Sequence, residues 1–399
     1  MEGDGFRRES ARLVSLLVRR FGPSNLELIE DAIQDAFLKA LQIWPTHGEP
    51  ANRTAWLAKV ANRSAIDRLR REGIYAEFEV ETAEEKPPSP GSFDDAELEM
   101  LFLCCHPSIE SADQVALILR ELCGLNNREV AMALLTTDQA LYQRLVRAKR
   151  RLKEADLTLP LTIDQERLDS VLLALYLLFN EGYASHGSGD LVSIELCDEA
   201  ILLVDRLSRS PVGNTPQTHA LCALMLLQSS RLESRIDNNG LLCLLEDQDR
   251  SQWDRKRISA GLKRLDRACG GRTYSRYHAE AAIALEHALA PTFDQTNWEA
   301  VVAAYDDLAR LAPGPIVSLN RGIARAMLHG PDAGLAALEG LKLEATHLFY
   351  SARAALMAKK GCPDEAIRDY RKAMELATTE PERRWLSHRL RQLETDHQI

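Results

Sequence analysis

The spacing of apolar residues near the start of the chain predicts two amphipathic helices. A first helix is predicted over residues 6–21, with the inward positions Leu13, Leu16 and Leu17. A second is predicted over residues 25–44, and its buried face is expected to contain Ile29, Ile33, Phe37 and Leu41, which follow one another at intervals of four. Both stretches therefore predict helices that pack along one side only.

Helical spacing resumes over residues 53–72, after a turn containing proline and glycine over residues 45–50. Trp56 has two interpretations, as a stacking platform for a nucleic-acid base or as part of the core. Its place between core positions favours burial. The other expected buried positions of this third helix are Leu57, Val60, Ile66 and Leu69.

The most informative pattern lies at residues 124–153, where two short predicted helices flank a tight turn. The first is expected to bury Val130, Ala131, Leu134 and Leu135, and the second Leu141, Leu145 and Ala148. Thr137 and Asp138 can cap the second helix. Its other face carries side chains that contact base edges and phosphates from a helix in a major groove, namely Gln143, Arg144, Arg147, Arg150 and Arg151. This pattern predicts a DNA-binding helix-turn-helix, and the competing interpretation is an ordinary solvated helix face.

The charges are distributed unevenly around a stretch that cannot form a core. Between residues 73 and 99 nine carboxylates stand against a single lysine, whereas residues 53–72 carry six basic and two acidic side chains. The sequence EEKPPSPGS within the acidic stretch predicts an extended or flexible tether. The net charge of −10 therefore does not argue against DNA binding, because the basic and acidic residues are segregated.

Beyond residue 158 the pattern predicts helix after helix, with a degenerate internal repeat near the end. Tyr305, Leu338 and Tyr370 occupy equivalent positions and lie 33 and 32 residues apart, close to the tetratricopeptide period. The spacing predicts a stack of helical pairs.

Composition excludes several classes of protein. With 399 residues the chain can form two or three domains, and it contains neither a run of 18 apolar residues nor a signal-peptide core at its start. The eight cysteines are scattered, so a cytoplasmic protein is expected. Cys104, Cys105 and His106 lack a second Cys/His pair nearby, so we expect buried small residues and no metal. No cofactor and no enzymatic activity are expected, since no nucleophile–base pair or phosphate-binding glycine loop occurs.

Three ordered motifs in residues 6–155 resemble the sigma factors of the extracytoplasmic-function (ECF) class, the two-domain promoter-recognition subunits of bacterial RNA polymerase. Residues 31–41, DAIQDAFLKAL, resemble the polymerase-binding helix of sigma region 2. Residues 54–71, TAWLAKVANRSAIDRLRR, resemble the helix that follows the −10 recognition loop. Residues 124–153 resemble sigma region 4, which reads the −35 element.

Four further strings resemble a narrower ECF subgroup, the one with a long C-terminal tetratricopeptide-like extension. They are FLCCHP at 102–107, LFNEGY at 178–183, LEDQDR at 245–250 with Trp253, and LNR at 319–321. The resemblance thus covers essentially the whole chain. It implies an all-α protein with region 2 over residues 1–72, a flexible acidic linker over 73–95, a region 4 helix-turn-helix over 96–157 and a tetratricopeptide-like regulatory domain over 158–399.

The resemblance implies two partners for the N-terminal domains, core RNA polymerase and promoter DNA. The polymerase would be bound through its beta-prime clamp and beta flap, and the polar positions expected to meet the clamp are Asp31, Gln34, Asp35 and Lys39. The loop over residues 45–52 is expected to hold an extruded base of the −10 element, because such a base needs a concave pocket. The expected −10 contacts are Asn52, Arg53, Lys59, Asn62, Arg63, Arg70 and Arg71, with Arg68, Arg70 and Arg71 binding phosphates.

The expected −35 contacts all lie at the turn and along the second helix of the helix-turn-helix. Gln143 and Arg144 are predicted to contact base edges, whereas Arg147, Lys149 and Arg150 are predicted to bind phosphates. Capping is a sufficient explanation for Thr137, which is the remaining candidate.

The resemblance also implies that the C-terminal domain modulates the sigma module through an intramolecular contact. Candidate contact residues are Asn180, Glu181, Tyr183, Asp247, Asp249 and Arg250. Residues 246–250 remain open to three interpretations: a contact surface, a carboxylate metal site, or helix caps and salt bridges, of which the last is favoured.

Two other functions compete with a promoter-specificity factor. A stand-alone helix-turn-helix regulator with a ligand- or partner-sensing repeat domain would leave residues 45–71 unexplained. A tetratricopeptide scaffold would leave two separate DNA-type modules unexplained.

Overall fold

The computed structural model of the protein describes residues 2–71, 90–134, 136–155, 157, 165–184, 191–235, 237, 243–343 and 345–397. Within these ranges every regular element is a helix. The prediction of an all-α fold is confirmed. The chain divides into two compact units, residues 1–181 and 182–399, and the division lies within helix α8 (Gln165–Ala184).

The first unit contains the helices that the sequence assigns to two separate N-terminal domains. Before α8 these helices are α1 (Glu2–Phe21), α2 (Leu26–His47), α3 (Arg53–Arg71), α4 (Pro90–Cys104), α5 (Ser111–Leu117), α6 (Asn127–Ala133) and α7 (Asp138–Glu154). α1 packs against α2, α3 and α4, so α4 and the first three helices belong to one packed body.

The core of α1–α3 follows the helical periodicity of the sequence. Leu13 and Leu17 of α1, Ile29 of α2, and Leu57 and Leu69 of α3 are almost completely buried. A sharp reversal separates α1 from α2. Gly22 adopts a φ of +81°, which favours glycine, and a 3₁₀ turn over Pro23–Asn25 follows directly.

Leu41 differs from its prediction, because its side chain is 65% exposed. Leu41 lies about 100° around the helix from the buried Ala40, so its side chain faces away from the core. The buried face of α2 continues instead through Ala36, Ala40 and Trp44.

The turn after α2 also begins later than predicted. The helix continues through Pro45 to His47, and Gly48, with a φ of +79°, closes it by donating its N–H to the carbonyl of Trp44 at 2.9 Å. Pro45 is tolerated because it lies in the last turn and the carbonyl that loses its hydrogen bond belongs to the exposed Leu41. The loop between α2 and α3 is therefore only residues 48–52.

The predicted flexible linker is shorter than expected at its C-terminal end. α4 begins at Pro90, so residues 90–95 are helical, whereas residues 72–89 lie outside the described residues. The strongly acidic composition of residues 94–99 did not prevent helix formation, because Ala96, Met100 and Leu101 provide a buried face.

α6 and α7 form the predicted helix-turn-helix, and both starts are capped. Asn126 and Glu129 form a reciprocal capping box at α6, and the Thr137 hydroxyl accepts a hydrogen bond from the Ala140 N–H at 3.2 Å. Val130, Leu141, Leu145 and Ala148 are buried as predicted, and Leu135 lies outside the described residues. Just before α6, a π-helical turn over Ile118–Leu122 extends α5.

The second unit consists of helices that pack largely against their neighbours in the chain. They are α9 (Leu191–Arg209), α10 (Pro216–Ser229), α11 (Arg255–Ala268), α12 (Arg276–Leu289), α13 (Trp298–Leu311), α14 (Pro315–His329), α15 (Pro331–Leu338), α16 (His347–Lys360), α17 (Pro363–Leu376) and α18 (Glu380–His397). The repeat positions Tyr305, Leu338 and Tyr370 fall on α13, α15 and α17 and pack into three successive apolar clusters. Successive clusters are the packing expected of stacked helical pairs, and the tetratricopeptide-like assignment stays a prediction.

Candidate nucleic-acid interface

The exposed face of α7 carries the predicted −35 residues, and its two central arginines are only loosely held. The nearest carboxylate is Asp113 of α5, 3.9 Å from Arg144 Nε and 3.7 Å from Arg147 Nη2. Gln143 is exposed, and among the described residues Arg150 is paired only within its own helix, to Glu154 at 3.5 Å. These three cations can reorient toward a ligand at small cost, because long or exposed ion pairs contribute little.

Lys149 differs from its predicted role as an accessible phosphate contact. Its Nζ lies 2.8 Å from both carboxylate oxygens of Glu30 in α2 and 3.2 Å from Oε1 of Glu121, and the side chain is only 16% exposed. Burial lowers its pKa, but Glu121 and Glu30 more than offset this, so the pKa lies above the ordinary lysine value. Lys149 is charged and is held by two carboxylates in this arrangement.

The predicted −10 residues lie on α3 and at its start, and most of them are accessible. Asn52 caps the helix by accepting a hydrogen bond from the Ala55 N–H at 2.9 Å. Lys59, Arg63 and Arg71 are exposed and form no ion pair among the described residues, and Arg70 is also exposed. Together these residues give one side of α3 the positive charge that a nucleic-acid backbone requires.

Two of the −10 predictions need correction or refinement. Asn62 is only 7% exposed, because it lies on the same face as Ala58 and Leu69, so its amide is not on the accessible surface. Arg53 is exposed but pairs with Glu49, and its guanidinium lies 5.5 Å from the ring of Trp44. That ring meets Trp56 edge to face at 5.5 Å, so the half-buried Trp56 packs against another indole rather than presenting a free face.

The predicted polymerase-binding face of α2 is organised by an arginine from α3. Arg68 donates to Asp31 at 3.0 Å and to Asp35 at 2.9 Å, and Ser64 donates to Asp35 at 2.7 Å. The hydrogen bonds from Arg68 and Ser64 hold the pKa of Asp35 below its ordinary value. Arg68, expected to bind phosphate, instead links the two carboxylates.

An exposed apolar pair on α2 was missed from the sequence. Leu38 is 58% exposed and Leu41 lies one turn of helix further on, beside the exposed Gln34 and Lys39. The sequence offered a signal, because Ala36, Ala40 and Trp44 form an alternative apolar stripe of the same spacing that leaves Leu38 and Leu41 outside it. Large apolar side chains surrounded by polar ones mark protein-binding surfaces.

The C-terminal candidate residues make mainly structural contacts. In the first unit, Asn180 and Glu181 are half-buried, and burial raises the pKa of Glu181. In the second, the Tyr183 ring lies 3.9 Å from the Arg235 guanidinium, which donates to the Tyr183 carbonyl at 3.0 Å. Arg231 approaches the same ring at 5.5 Å.

Residues 246–250 act as caps and salt-bridge partners, the interpretation that the sequence favours. Asp249 accepts hydrogen bonds from Ser251 and Gln252 in a short 3₁₀ turn. Glu246 and Asp247 each lie 3.1 Å from Arg389 of α18. The buried Arg250 donates to the carbonyls of His287 and Ala290 at the end of α12, at 2.5 and 2.9 Å.

Adjacent cysteines at the end of α4 are buried, as the sequence predicts. Burial raises the pKa of Cys104 and of Cys105 well above the ordinary thiol value, so both are neutral. Within the described residues, no group of three or more His, Cys, Asp or Glu side chains is arranged to hold a metal ion. None of the helices in that part of the chain is both long and apolar enough to cross a bilayer.

Comparison with known proteins assigns two segments of the chain. Residues 6–74 match sigma-70 region 2, and residues 167–269 match a family of unknown function, DUF6596. The first segment contains α1–α3, so the helices that carry the α2 carboxylates and the basic face of α3 form a sigma-70 region 2 domain. This domain supports a protein of the sigma-factor class, whose members act in transcription initiation and are not enzymes.

One relative is similar to nearly the whole chain. An uncharacterized protein of Rhizobium meliloti (strain 1021) is 38% identical over 381 residues, which cover 92% of this chain and 90% of the relative. The chain belongs to the same family as that protein. The matched stretch is longer than either compact unit and therefore includes parts of both.

Proposed function

We propose that the protein is a sigma factor of the ECF type, which binds core RNA polymerase and directs initiation at specific promoters. The observation that carries this proposal is the presence, in one compact unit, of a sigma-70 region 2 domain and a second, basic helix-turn-helix. A single DNA-binding module would serve an ordinary regulator. Two modules of this kind match a protein that contacts two promoter elements at once.

The face of α2 is the proposed polymerase contact. Arg68 fixes Asp31 and Asp35 on one side of the helix, and Leu38 and Leu41 expose apolar surface nearby. Gln34 and Lys39 complete the polar border. Apolar side chains within a polar rim are the usual composition of a protein interface.

The DNA contacts divide between α3 and α7. On α3, Asn52, Arg53, Lys59, Arg63, Arg70 and Arg71 are the proposed contacts with the −10 region. On α7, Gln143 and Arg144 are proposed to read base edges of the −35 element while Arg147 and Arg150 bind phosphates. Thr137 is sufficiently explained as the cap of α7.

The second unit is proposed to modulate this activity through intramolecular contact. The match with the rhizobial relative includes both units, which supports a function that uses them together. Asn180, Glu181, Tyr183, Asp247, Asp249 and Arg250 remain the candidate contacts. Their capping and salt-bridge roles mean that substituting Arg250 would also destabilise the unit.

The deciding experiment is run-off transcription with purified core polymerase. A defined transcript is expected only when the protein, polymerase and template are combined. Leu41→Ser should weaken polymerase binding by about 1 kcal/mol or more if Leu41 lies in the contact. Ile43→Ser, on the same helix and also exposed, is the matched control. Sequence-specific DNA binding without any polymerase-dependent transcript would instead support the stand-alone regulator.

A further inference from the structure

Lys149 joins the basic helix α7 to α2 across 119 positions of the sequence. Its ammonium lies 2.8 Å from Oε1 and Oε2 of Glu30 and 3.2 Å from Oε1 of Glu121. The ammonium donates to both oxygens of Glu30, whereas Glu121 Oε1 pairs with it by charge without accepting a hydrogen bond. A backbone phosphate would therefore compete with Glu30 for the same N–H groups.

The contact belongs to a wider packing of these helices. α7 also contacts the turn Pro23–Asn25 that precedes α2. Along α1, Arg12 pairs with Glu97 and Arg19 with Glu99, each at 3.3 Å, and these pairs join α1 to α4. The helix-turn-helix and the sigma-70 region 2 helices are thus packed together in this state.

Glu121 is unusual because a nearly inaccessible carboxyl forms part of this contact. It is 2% exposed and projects from the π-helical turn Ile118–Leu122. The groups that face it are Glu30 from α2, Lys149 from α7 and the Cys104 thiol from α4, with Arg120 and Cys123 alongside in the chain. One lysine therefore serves two carboxylates inside the unit, and removal of Lys149 would leave both without their main counterion.

We propose that Lys149 exchanges partners: in the free protein it binds Glu30 and Glu121 and holds α7 against α2, and on promoter DNA the same ammonium binds a backbone phosphate. The second half of this statement rests on the proposed function. We call the arrangement with Lys149 between α7 and α2 the closed state. When this state is lost, Lys149 gains a phosphate as its new anionic partner, so the helix-turn-helix and the region 2 helices can separate and reach two promoter elements. The closed and DNA-bound states then compete for one side chain.

Zero-length carbodiimide cross-linking tests the first half in the full-length protein without DNA or polymerase. The reagent joins an amine to a carboxylate in direct contact, so peptide mass spectrometry should find Lys149 linked to Glu30. Lys149→Met should abolish this link, whereas Lys153→Met, at an exposed position near the end of the same helix, should leave it unchanged. Absence of the link in the unsubstituted protein overturns the closed contact.

DNA binding tests the second half. Glu30→Gln should tighten binding to a duplex with the −35 element by at least about fivefold, the lower end of usual coupling between sites. The control Glu27→Gln, at an exposed position on the same helix, should leave affinity unchanged. Equal affinities for Glu30→Gln and the unsubstituted protein overturn the exchange.

The polymerase–promoter complex separates failure of the exchange from failure of the proposed function. If the complex forms, the Lys149–Glu30 link should fall at least about fivefold, and its persistence overturns the exchange. If the link is present but no complex forms on any template, the closed contact stands, and both the exchange and the proposed function are wrong.

Discussion

Individual side chains on α7 differ in how tightly the protein itself holds them. Arg144 and Arg147 lie 3.7–3.9 Å from one carboxylate, whereas Lys149 is enclosed by three carboxylate oxygens within 3.2 Å. Arg144 and Arg147 are therefore more available to a ligand than Lys149, although the three residues look alike in the sequence. Substitutions at these positions should have different consequences.

Substitution of Arg144 should affect which sequence is recognised. Arg144→Ala should reduce discrimination at the −35 element by about 1–3 kcal/mol, since a bidentate base contact would be lost. Arg150→Ala should weaken binding to all sequences alike and reduce the salt dependence, because it removes a phosphate contact. Titration of matched and altered promoters with the polymerase complex measures both effects. A uniform loss for Arg144→Ala would contradict base reading.

Glu121 should make the stability of the first unit depend on pH. Burial, followed by the neighbouring Glu30, raises the pKa of Glu121 to about 7 from 4.5, despite the attraction of Lys149. Between these values the folded protein retains a proton that the unfolded chain has lost. The contribution of Glu121 to stability is therefore complete below pH 4.5 and is lost as the pH rises to about 7.

Buried histidines have lowered pKa values and make the protein less stable as the pH falls, which is opposite to the effect of Glu121. A variant at Glu121 separates the two contributions. Glu121→Gln cannot ionise, so between pH 4.5 and 7.5 its unfolding free energy should gain on the order of 1–3 kcal/mol relative to the unsubstituted protein. Glu27→Gln should show no such gain. Urea unfolding at several pH values measures it, and parallel pH profiles for the two variants would contradict the assignment.

The sequence predicted which faces of α7 would be apolar and basic, but not which basic side chains would be engaged in ion pairs within the protein. Helical spacing was enough to separate Leu141 and Leu145 from the arginine face. Glu30 and Arg68 acquired their partners from positions 119 and 37 residues away, and no local pattern encodes such pairs. Asn62 was misplaced because a polar residue one turn from a buried position can share its face.

At the scale of whole helices, close approach between neighbours sets strict limits on side-chain size. A Cβ on Gly334 of α15 would lie 2.4 Å from the Ala326 Cβ of α14 and 3.0 Å from Leu356. A Cβ on Gly322 of α14 would lie 2.9 Å from Cδ2 of Leu338. The repeat pattern predicted these helices, but only the structure identifies the glycines that allow their contact.

Gly334→Ala should therefore destabilise the second unit. Overpacking at a contact this close costs about 1–3 kcal/mol, which outweighs the benefit of replacing glycine in a helix. Gly314→Ala, at the start of α14 with open space around it, should change stability by at most about 1 kcal/mol. Thermal or urea unfolding of the second unit measures both. Equal midpoints for the two variants would contradict the packing argument.

Other helix ends depended on chemistry that the sequence exposed only in part. The cap at Thr137 was predicted from the sequence, and α7 begins directly after it. The capping box of Asn126 and Glu129 at α6 was identified only in the structure. The helix α2 ends later than predicted. Pro45 is tolerated in its last turn, because the carbonyl that loses its hydrogen bond there faces solvent.

At the scale of the whole molecule, one chain combines a compact unit that contains a sigma-70 region 2 domain with a second compact unit of comparable size. The resemblance to ECF sigma factors implied the all-α class, and the division into units followed only from three-dimensional contacts. The boundary lies in α8, which the sequence assigned wholly to the C-terminal domain.

Removal of the second unit should change promoter-dependent transcription. A chain that ends after Ala184 retains α1–α8, and its run-off transcription should differ from that of the full-length protein by about fivefold or more, if the units are coupled to the usual extent. Circular dichroism should first establish that the shortened chain is helical and cooperatively folded. Equal transcription by two folded proteins would contradict modulation in cis.

The salt bridges of Arg389 with Glu246 and Asp247 can form only late in the synthesis of the chain. A ribosome that adds about 5–20 residues per second reaches position 389 roughly 10–40 seconds after it has finished the first unit. The second unit cannot form these two salt bridges until α18 has left the exit tunnel of the ribosome. Each new chain therefore passes through an interval in which its proposed promoter-binding unit is complete and its proposed regulatory unit is not. During that interval the first unit is restrained by its own contacts, such as that of Lys149 with Glu30.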